Sequence, residues 1–382
     1  AKLPDPVRIT PSFLGSRVYA TSTSEFFIAS GKQLFRMEAK LAEKDPGPDY
    51  QEPTYPLSSL SGHLLDSVKH DGPISCLTGH LSSGSLALLG VSDMHGGVSV
   101  VSTDSGASWR VSQGQCPGYK DGESGVSGLG FDATGAQLTV VRAFQRSVTV
   151  FDVATMKPTR TMYTTLPPNA MTVLGGGIDS TLMPAAYSSG ADGLVAVAEY
   201  NQVSIWDHRI AGRGATVARF SPSSAPIYSV AWGQGVVGCA GADRSVYVYD
   251  PRKWSCCGRA MGVSKGDGVG LSFSVHDPRV FYLLGVDSQL VCGQWEDAGG
   301  SNQGSASLVP VSVNTGGHKG THVVSGGSLR KIFDFRAYGR WIAGHKMQGR
   351  DVFVGACEQQ NVYILPEFNP LRPPRATRPR DE

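Results

Sequence analysis

Charge is sparse in this chain: Asp, Glu, Lys and Arg make up 17% of its 382 residues, below the usual quarter of a soluble domain. The 34 basic and 32 acidic side chains leave a net charge of +2, so no global field draws the protein to nucleic acid or to a membrane surface. No segment has the length and apolarity of a membrane span, and residues 1–30 hold no apolar run of the signal-peptide kind. That stretch carries Arg8 and Arg17, but Asp5 and Glu25 count against a transit peptide. The expected location is cytoplasmic, nuclear or both, with organelle import left open.

Chemistry-bearing motifs are also scarce. The seven cysteines show no C-x-x-C spacing, and the neighbours Cys256 and Cys257 cannot readily bridge each other, so a reducing compartment and small buried thiols are expected. The nine histidines are scattered; His318 and His322 are four apart, but the glycines around them do not suit a helix that would aim both at a metal. There is no H-E-x-x-H and no local acid pair. Gly233 to Gly238 satisfies G-x-G-x-x-G, yet a strand-like run follows where a dinucleotide site needs a helix. Gly266 to Gly270 lacks the Lys-Ser/Thr of a phosphate loop. The expectation is therefore a protein that is not an enzyme and holds neither cofactor nor metal.

What the chain does have is repetition. Seven times an alternating apolar run closes on an aromatic or aliphatic residue, at Phe35, Val100, Phe151, Trp206, Tyr249, Trp295 and Ile364, at spacings of roughly 43 to 69 residues. Tight turns rich in Gly, Asp and Asn precede these runs, as in Gly241-Ala242-Asp243-Arg244 and Glu199-Tyr200-Asn201-Gln202. Short apolar segments lie upstream, among them Leu86–Leu89, Leu138–Val141, Leu194–Val197 and Val280–Leu284, too short for free-standing helices. Only Met37 to Lys44 reads as briefly helical. A four-stranded unit repeating every ~40–45 residues, lengthened by insertions, predicts an all-β fold, a single β-propeller of seven four-stranded blades.

On these residues the chain resembles the WD-repeat β-propeller family across about residues 10–366. Trp206-Asp207 is a full Trp-Asp pair, with Phe151-Asp152 and Tyr249-Asp250 as near variants. The Gly-His pairs at 62, 79, 317 and 344 keep no constant register with a following Trp-Asp. The resemblance implies ring closure by a strand from near the N-terminus, here within Val7 to Thr10, pairing with the last blade. The propeller is expected over residues 1–366, with insertions at about 38–71 and 297–319, followed by a basic Pro/Arg-rich tail at 367–382.

The most specific constellation is Trp206-Asp207-His208-Arg209 in one blade and Tyr249-Asp250-Pro251-Arg252 in the next. Arg209 and Arg252 can fork onto Asp207 and Asp250, or reach a partner's carboxylates. Asp334-Phe335-Arg336 repeats the triplet elsewhere. Paired motifs of this form resemble those of substrate receptors of cullin-RING ubiquitin ligases, which implies a ligase adaptor as partner. In the tail, Arg372, Arg375, Arg378 and Arg380 alternate with prolines, a composition that builds no core and suits a solvated segment or a groove- or RNA-binding peptide. The leading expectation is a non-catalytic interaction scaffold in a multiprotein complex. The alternatives are the cullin-RING receptor and a propeller subunit of a ribonucleoprotein; no membrane partner is expected.

Overall fold

The computed structural model describes residues 2–9, 16–41, 57–82, 85–103, 109–118, 125–175, 193–210, 215–233, 235–295, 309–315, 318–324, 330–347 and 350–365. They form a seven-bladed β-propeller of antiparallel sheets. Blades 1 to 7 span residues 18–64, 74–115, 126–163, 168–220, 227–260, 268–336 and 341–365. No α-helix occurs among the described residues.

Alternation puts each blade where it is. Successive side chains of a strand face opposite ways, so a strand apolar on both faces must be covered on both. The second and third strands of blade 4, Leu194–Glu199 and Gln202–Asp207, are buried along nearly their whole length between the flanking blades. Trp206 packs against Val148, Val150 and Met162 of blade 3 and Val195 of its own blade. Comparable cores fill the other gaps, for example Tyr249 stacked on Phe220 at 3.9 Å between blades 4 and 5. The outer strands differ: Lys157–Tyr163 shows burial at Met162 alone. Of the stretch read as briefly helical, residues 37–41 belong to the third strand of blade 1, Gln33–Leu41, and residues 42–44 lie outside the described ones; buried Phe35, Met37 and Ala39 recur every second residue, a strand period that overrides the helix-forming Met, Glu, Ala and Lys.

The ring closes through the N-terminal segment, at a different residue from the one expected. Lys2 bridges Asn361, and the Leu3 N–H donates to the Gln360 carbonyl at 2.7 Å, giving blade 7 its fourth position. Val7 and Ile9 do not pair there; they are buried with Leu3 in the core shared by blades 1 and 7. The Ile9 N–H instead donates to the side chain of Gln360 at 3.1 Å.

Val309–Thr315 and His318–Val324 form a hairpin that joins the fourth blade's edge through Phe220 and Val313. The G-x-G-x-x-G stretch falls on the turn between Ile227–Gly233 and Val236–Gly241, a β-hairpin with no helix for a phosphate.

Candidate functional site

A propeller offers a channel and two faces. The channel is a 320 Å³ cavity lined by the innermost strands, and its polar groups are largely spent on joining blades. Ser127 Oγ donates to the Pro168 carbonyl at 2.8 Å, Asn169 Nδ2 to Ile227 at 3.0 Å, and Ser229 Oγ accepts from Leu271 N–H at 2.8 Å. His345 Nδ1 accepts from Ala20 N–H at 3.2 Å, a role open only to the neutral ring. Desolvation pushes that imidazole down to about 3. Lys346 and Asp351 form a buried pair at 3.3 Å, with Asp351 also accepting from Val275 N–H and Ser274 Oγ.

The upper face carries the turns between second and third strands and the connections from blade to blade. At six blades a side chain ties these together. His70 Nδ1 meets Asp93 Oδ2 at 3.0 Å in blade 2, and Arg142 donates to the Pro117 carbonyl at 2.9 Å in blade 3. In blade 4, Glu199 Oε2 accepts from the N–H groups of Thr165 and Leu166 at 2.9 and 3.1 Å, while its Oε1 takes Ser204 Oγ, itself the acceptor for Trp206 Nε1. Gln289, Gln360 and Ser30 do the same for Lys265, Ile9 and Arg8 N–H in blades 6, 7 and 1. Blade 5 uses main chain alone, Ala242 N–H to the Pro226 carbonyl. Polar groups of the blade connections, amides in four blades, a carbonyl in two and the His70 ring in one, are thus met by the neighbouring turn or strand end. None of the Gly-His histidines serves here, and the histidine that does, His70, follows Lys69.

Among the described residues, six of the eight large apolar side chains that stand exposed are on this face: Leu64, Phe144, Tyr163, Tyr200, Met261 and Tyr338. Pairing registers fix the placement; Tyr163 lies opposite Ser147 at the turn end of its strand, and Met261 follows Ala260, the partner of Val246. Ile210 and Val217 are on the other side.

The lower face carries the paired D-x-R motifs. Asp207 Oδ1 accepts from Arg209 N–H at 2.9 Å, and the guanidinium forks onto both carboxylate oxygens at 2.9 and 2.8 Å. Asp250 accepts from Arg252 N–H and Nε at 2.9 and 3.1 Å. The side chains of Arg209 and Arg252 remain 58% and 82% exposed at corresponding turns of consecutive blades. A further copy that sequence reading missed, Asp277-Pro278-Arg279, repeats the fork of blade 4 on the same face of blade 6, at 2.9 and 2.8 Å. The hydrogen bond from Arg209 holds the Asp207 carboxyl below the ordinary carboxylate range, and Arg279 does so for Asp277. Asp334 and Arg336 lie at the opposite end of their blade; Asp334 accepts from Gln289 Nε2 at 2.8 Å and stands 3.9 Å from Arg336. Arg372, Arg375, Arg378 and Arg380 lie outside the described residues.

Left-handed backbone separates the faces further. Among the described residues, six that are not glycine have φ between 48° and 60°. Met156 and Trp254, in lower-face turns, are buried. Gln360 carries the closure contact to Ile9. Arg146, Tyr200 and Arg244 are exposed, all in upper-face turns of blades 3, 4 and 5. Such backbone costs a side-chain-bearing residue about 1–2 kcal/mol, and glycine almost nothing.

No family model matches the chain, and no curated protein matches it by sequence. Solved structures match it in fold: a chain in a structure described as the crystal structure of the mitotic checkpoint complex aligns over 97% of this chain and 96% of its own, with a TM-score of 0.62 and 12% identity. At that identity the likeness is one of architecture. In all, 1483 chains match, and a likeness in fold does not by itself specify an activity.

Proposed function

We propose that this protein is a non-catalytic interaction scaffold, a propeller subunit of a multiprotein assembly whose main docking surface is the upper face. The observation that carries the reading is the gathering, among the described residues, of six of eight exposed large apolar side chains on one side of the ring. Water-exposed aromatics cost solubility and contribute nothing to the blades, and they are the side chains that anchor protein interfaces. The channel, by contrast, presents polar groups already engaged with neighbouring blades. That the fold also occurs in a chain of a multiprotein complex accords with the reading.

The test is native purification of the tagged full-length chain beside a Phe144→Ser, Tyr163→Ser, Tyr338→Ser variant, with mass spectrometry and sizing of both. Stoichiometric partners on the parent and their loss from a folded variant are expected. A monomer free of partners in native extract would overturn the scaffold.

A second reading rests on the lower face. Arg209 and Arg252 occupy matching turns of adjacent blades, forked yet solvent-facing, as a cullin-RING adaptor contact would need. The same purification with Arg209→Glu, Arg252→Glu decides it: an adaptor recovered by the parent alone supports a substrate receptor. Co-purifying RNA, released by salt and by removal of residues 367–382, would instead favour the ribonucleoprotein alternative.

A further inference from the structure

Left-handed positions recur at the upper turns, and most are filled as backbone sterics dictate. Blades 1 and 2 place glycine there, Gly31 and Gly96. The turns are alike: Ser30 pairs with Gln33 around Gly31 as Glu199 pairs with Gln202 around Tyr200, and Gly96, Arg146 and Arg244 each donate their N–H to the residue three back. In three successive blades, then, glycine is replaced by a large side chain that neither packs in the core nor closes the ring. A strained position kept for an exposed side chain points to use of that side chain.

Hydrogen bonds join the three turns into one sector. Thr164 N–H donates to the Arg146 carbonyl at 2.7 Å, Tyr200 N–H to Pro167 at 3.1 Å, Ile227 N–H to Tyr200 at 2.6 Å, and Val263 N–H to Arg244 at 2.8 Å. Along this path the exposed apolar groups are Phe144, Tyr163, Tyr200 and Met261, and the exposed cations are Arg146, Arg244 and Lys265. Phe144 rests against Gly125, where an added Cβ would meet its ring at 3.1 Å. Two acids of the sector are turned to internal work: Glu199 holds the Thr165 and Leu166 amides, and Asp243 accepts from Tyr247 Oη at 2.6 Å and Ser245 N–H at 3.1 Å. Asp267 and Asp287, both half-buried, are further carboxylates there among the described residues; the Asp287 carboxyl carbon lies 3.5 Å from where a Cβ on Gly266 would stand.

Building on the scaffold reading, we propose that the upper face of blades 3 to 5 binds an extended acidic peptide of a partner protein that carries a large apolar residue. Arg146, Arg244 and Lys265 receive its carboxylates, and Tyr200 with Phe144 and Tyr163 receives the apolar side chain. Charge complementarity selects the acidic sequence. The rings cluster over blades 3 and 4 while the cations run on to Lys265 and Met261; one apolar anchor with flanking acids fits this better than a nucleic acid strand, which wants a ring for each base.

Display selection with a random short-peptide library tests this on the full chain and on an Arg146→Gly, Tyr200→Gly, Arg244→Gly variant. Glycine suits all three backbones, so the variant should unfold at the parent's temperature or higher. Peptides rich in Asp and Glu around an aromatic or leucine should be enriched on the parent and bind the variant at least about tenfold more weakly. An Arg244→Glu variant, with its reversed charge, should disfavour the same peptides. If enriched peptides bind parent and triple variant alike, the sector is overturned while the scaffold stands. No enrichment on either overturns the peptide site, while the native purification decides the scaffold separately. Binding of single-stranded oligouridylate to the parent, lost in the triple variant and without acidic peptides, overturns the peptide in favour of nucleic acid.

Discussion

The two faces of the ring use the same unfavourable backbone for opposite ends. On the lower face, left-handed Met156 and Trp254 turn inward; Trp254 is buried beside Phe220 at a ring separation of 6.4 Å, and the packing it gains outweighs the conformational cost. On the upper face Arg146, Tyr200 and Arg244 bear the same cost and stay in solvent. Strain offset by burial belongs to the fold, whereas strain without burial has to be explained by something outside the chain. The D-x-R forks fit the former description in part, since each aspartate caps its own turn, even as the arginines face water.

The sharpest way to break this comparison is to put glycine on both sides. Trp254→Gly removes a buried aromatic and should cost about 3–5 kcal/mol, read as a large fall in the denaturant midpoint. A loss under about 1 kcal/mol would mean that the lower-face turn is not held by packing.

Glu199 tests the upper face's structural half. Its carboxylate serves two connection amides and Ser204, which in turn holds Trp206. Glu199→Ala strands these donors in a dry site and should cost roughly 2–4 kcal/mol. Glu199→Asp, a methylene shorter, should recover little, because the tie spans from the turn to the neighbouring connection. Full recovery by aspartate would show that side-chain reach does not choose the residue.

The ties also explain how much of this protein was legible in its sequence. All seven end-points read from the pattern lie on, or directly after, third strands, because those strands are buried on both faces and must be apolar. The outer strands were obscure: Leu57–Leu64 has exposed and half-buried residues in no regular period. The turn network was not recognisable, since His70, Arg142, Glu199, Gln289 and Gln360 do one job with four side-chain types, which is also a physical reason for a shared fold at 12% identity. The forks at Asp207 and Asp250 were readable from spacing, and Asp277-Pro278-Arg279 had the same signature as Asp250-Pro251-Arg252 but fell outside a third strand. Arg146, Tyr200 and Arg244 had no signal, because arginine and tyrosine do not announce left-handed turns as glycine or asparagine do.

Lower-face electrostatics give a smaller effect. Arg209 keeps the Asp207 carboxyl below its unfolded value near 4, so the fork stabilises the fold above that pH and the contribution disappears as pH falls through the folded value. Asp207→Asn keeps an oxygen for the Arg209 N–H but no charge. Stability measured from neutral pH down to about 3 should fall less steeply in this variant, by up to about 1 kcal/mol, given the exposure of Arg209. An unchanged slope would leave the fork with no energetic role.

The smallest change is the most discriminating. Tyr200→Gly relieves the left-handed strain, while the added backbone freedom of the unfolded chain offsets much of that gain. The net should lie between no change and a stabilisation of about 1 kcal/mol, a melting temperature held or raised. The hydrogen bonds at this turn are main-chain ones, Tyr200 N–H to Pro167 and Ile227 N–H to Tyr200, and glycine retains both. A distinct fall in melting temperature would place the ring in the architecture after all, and the two faces would then differ only in how visibly they pack. A rise, beside the loss at Trp254, would mean that tyrosine is kept at this turn against the fold's own preference, and the reason for keeping it must lie in what the ring touches.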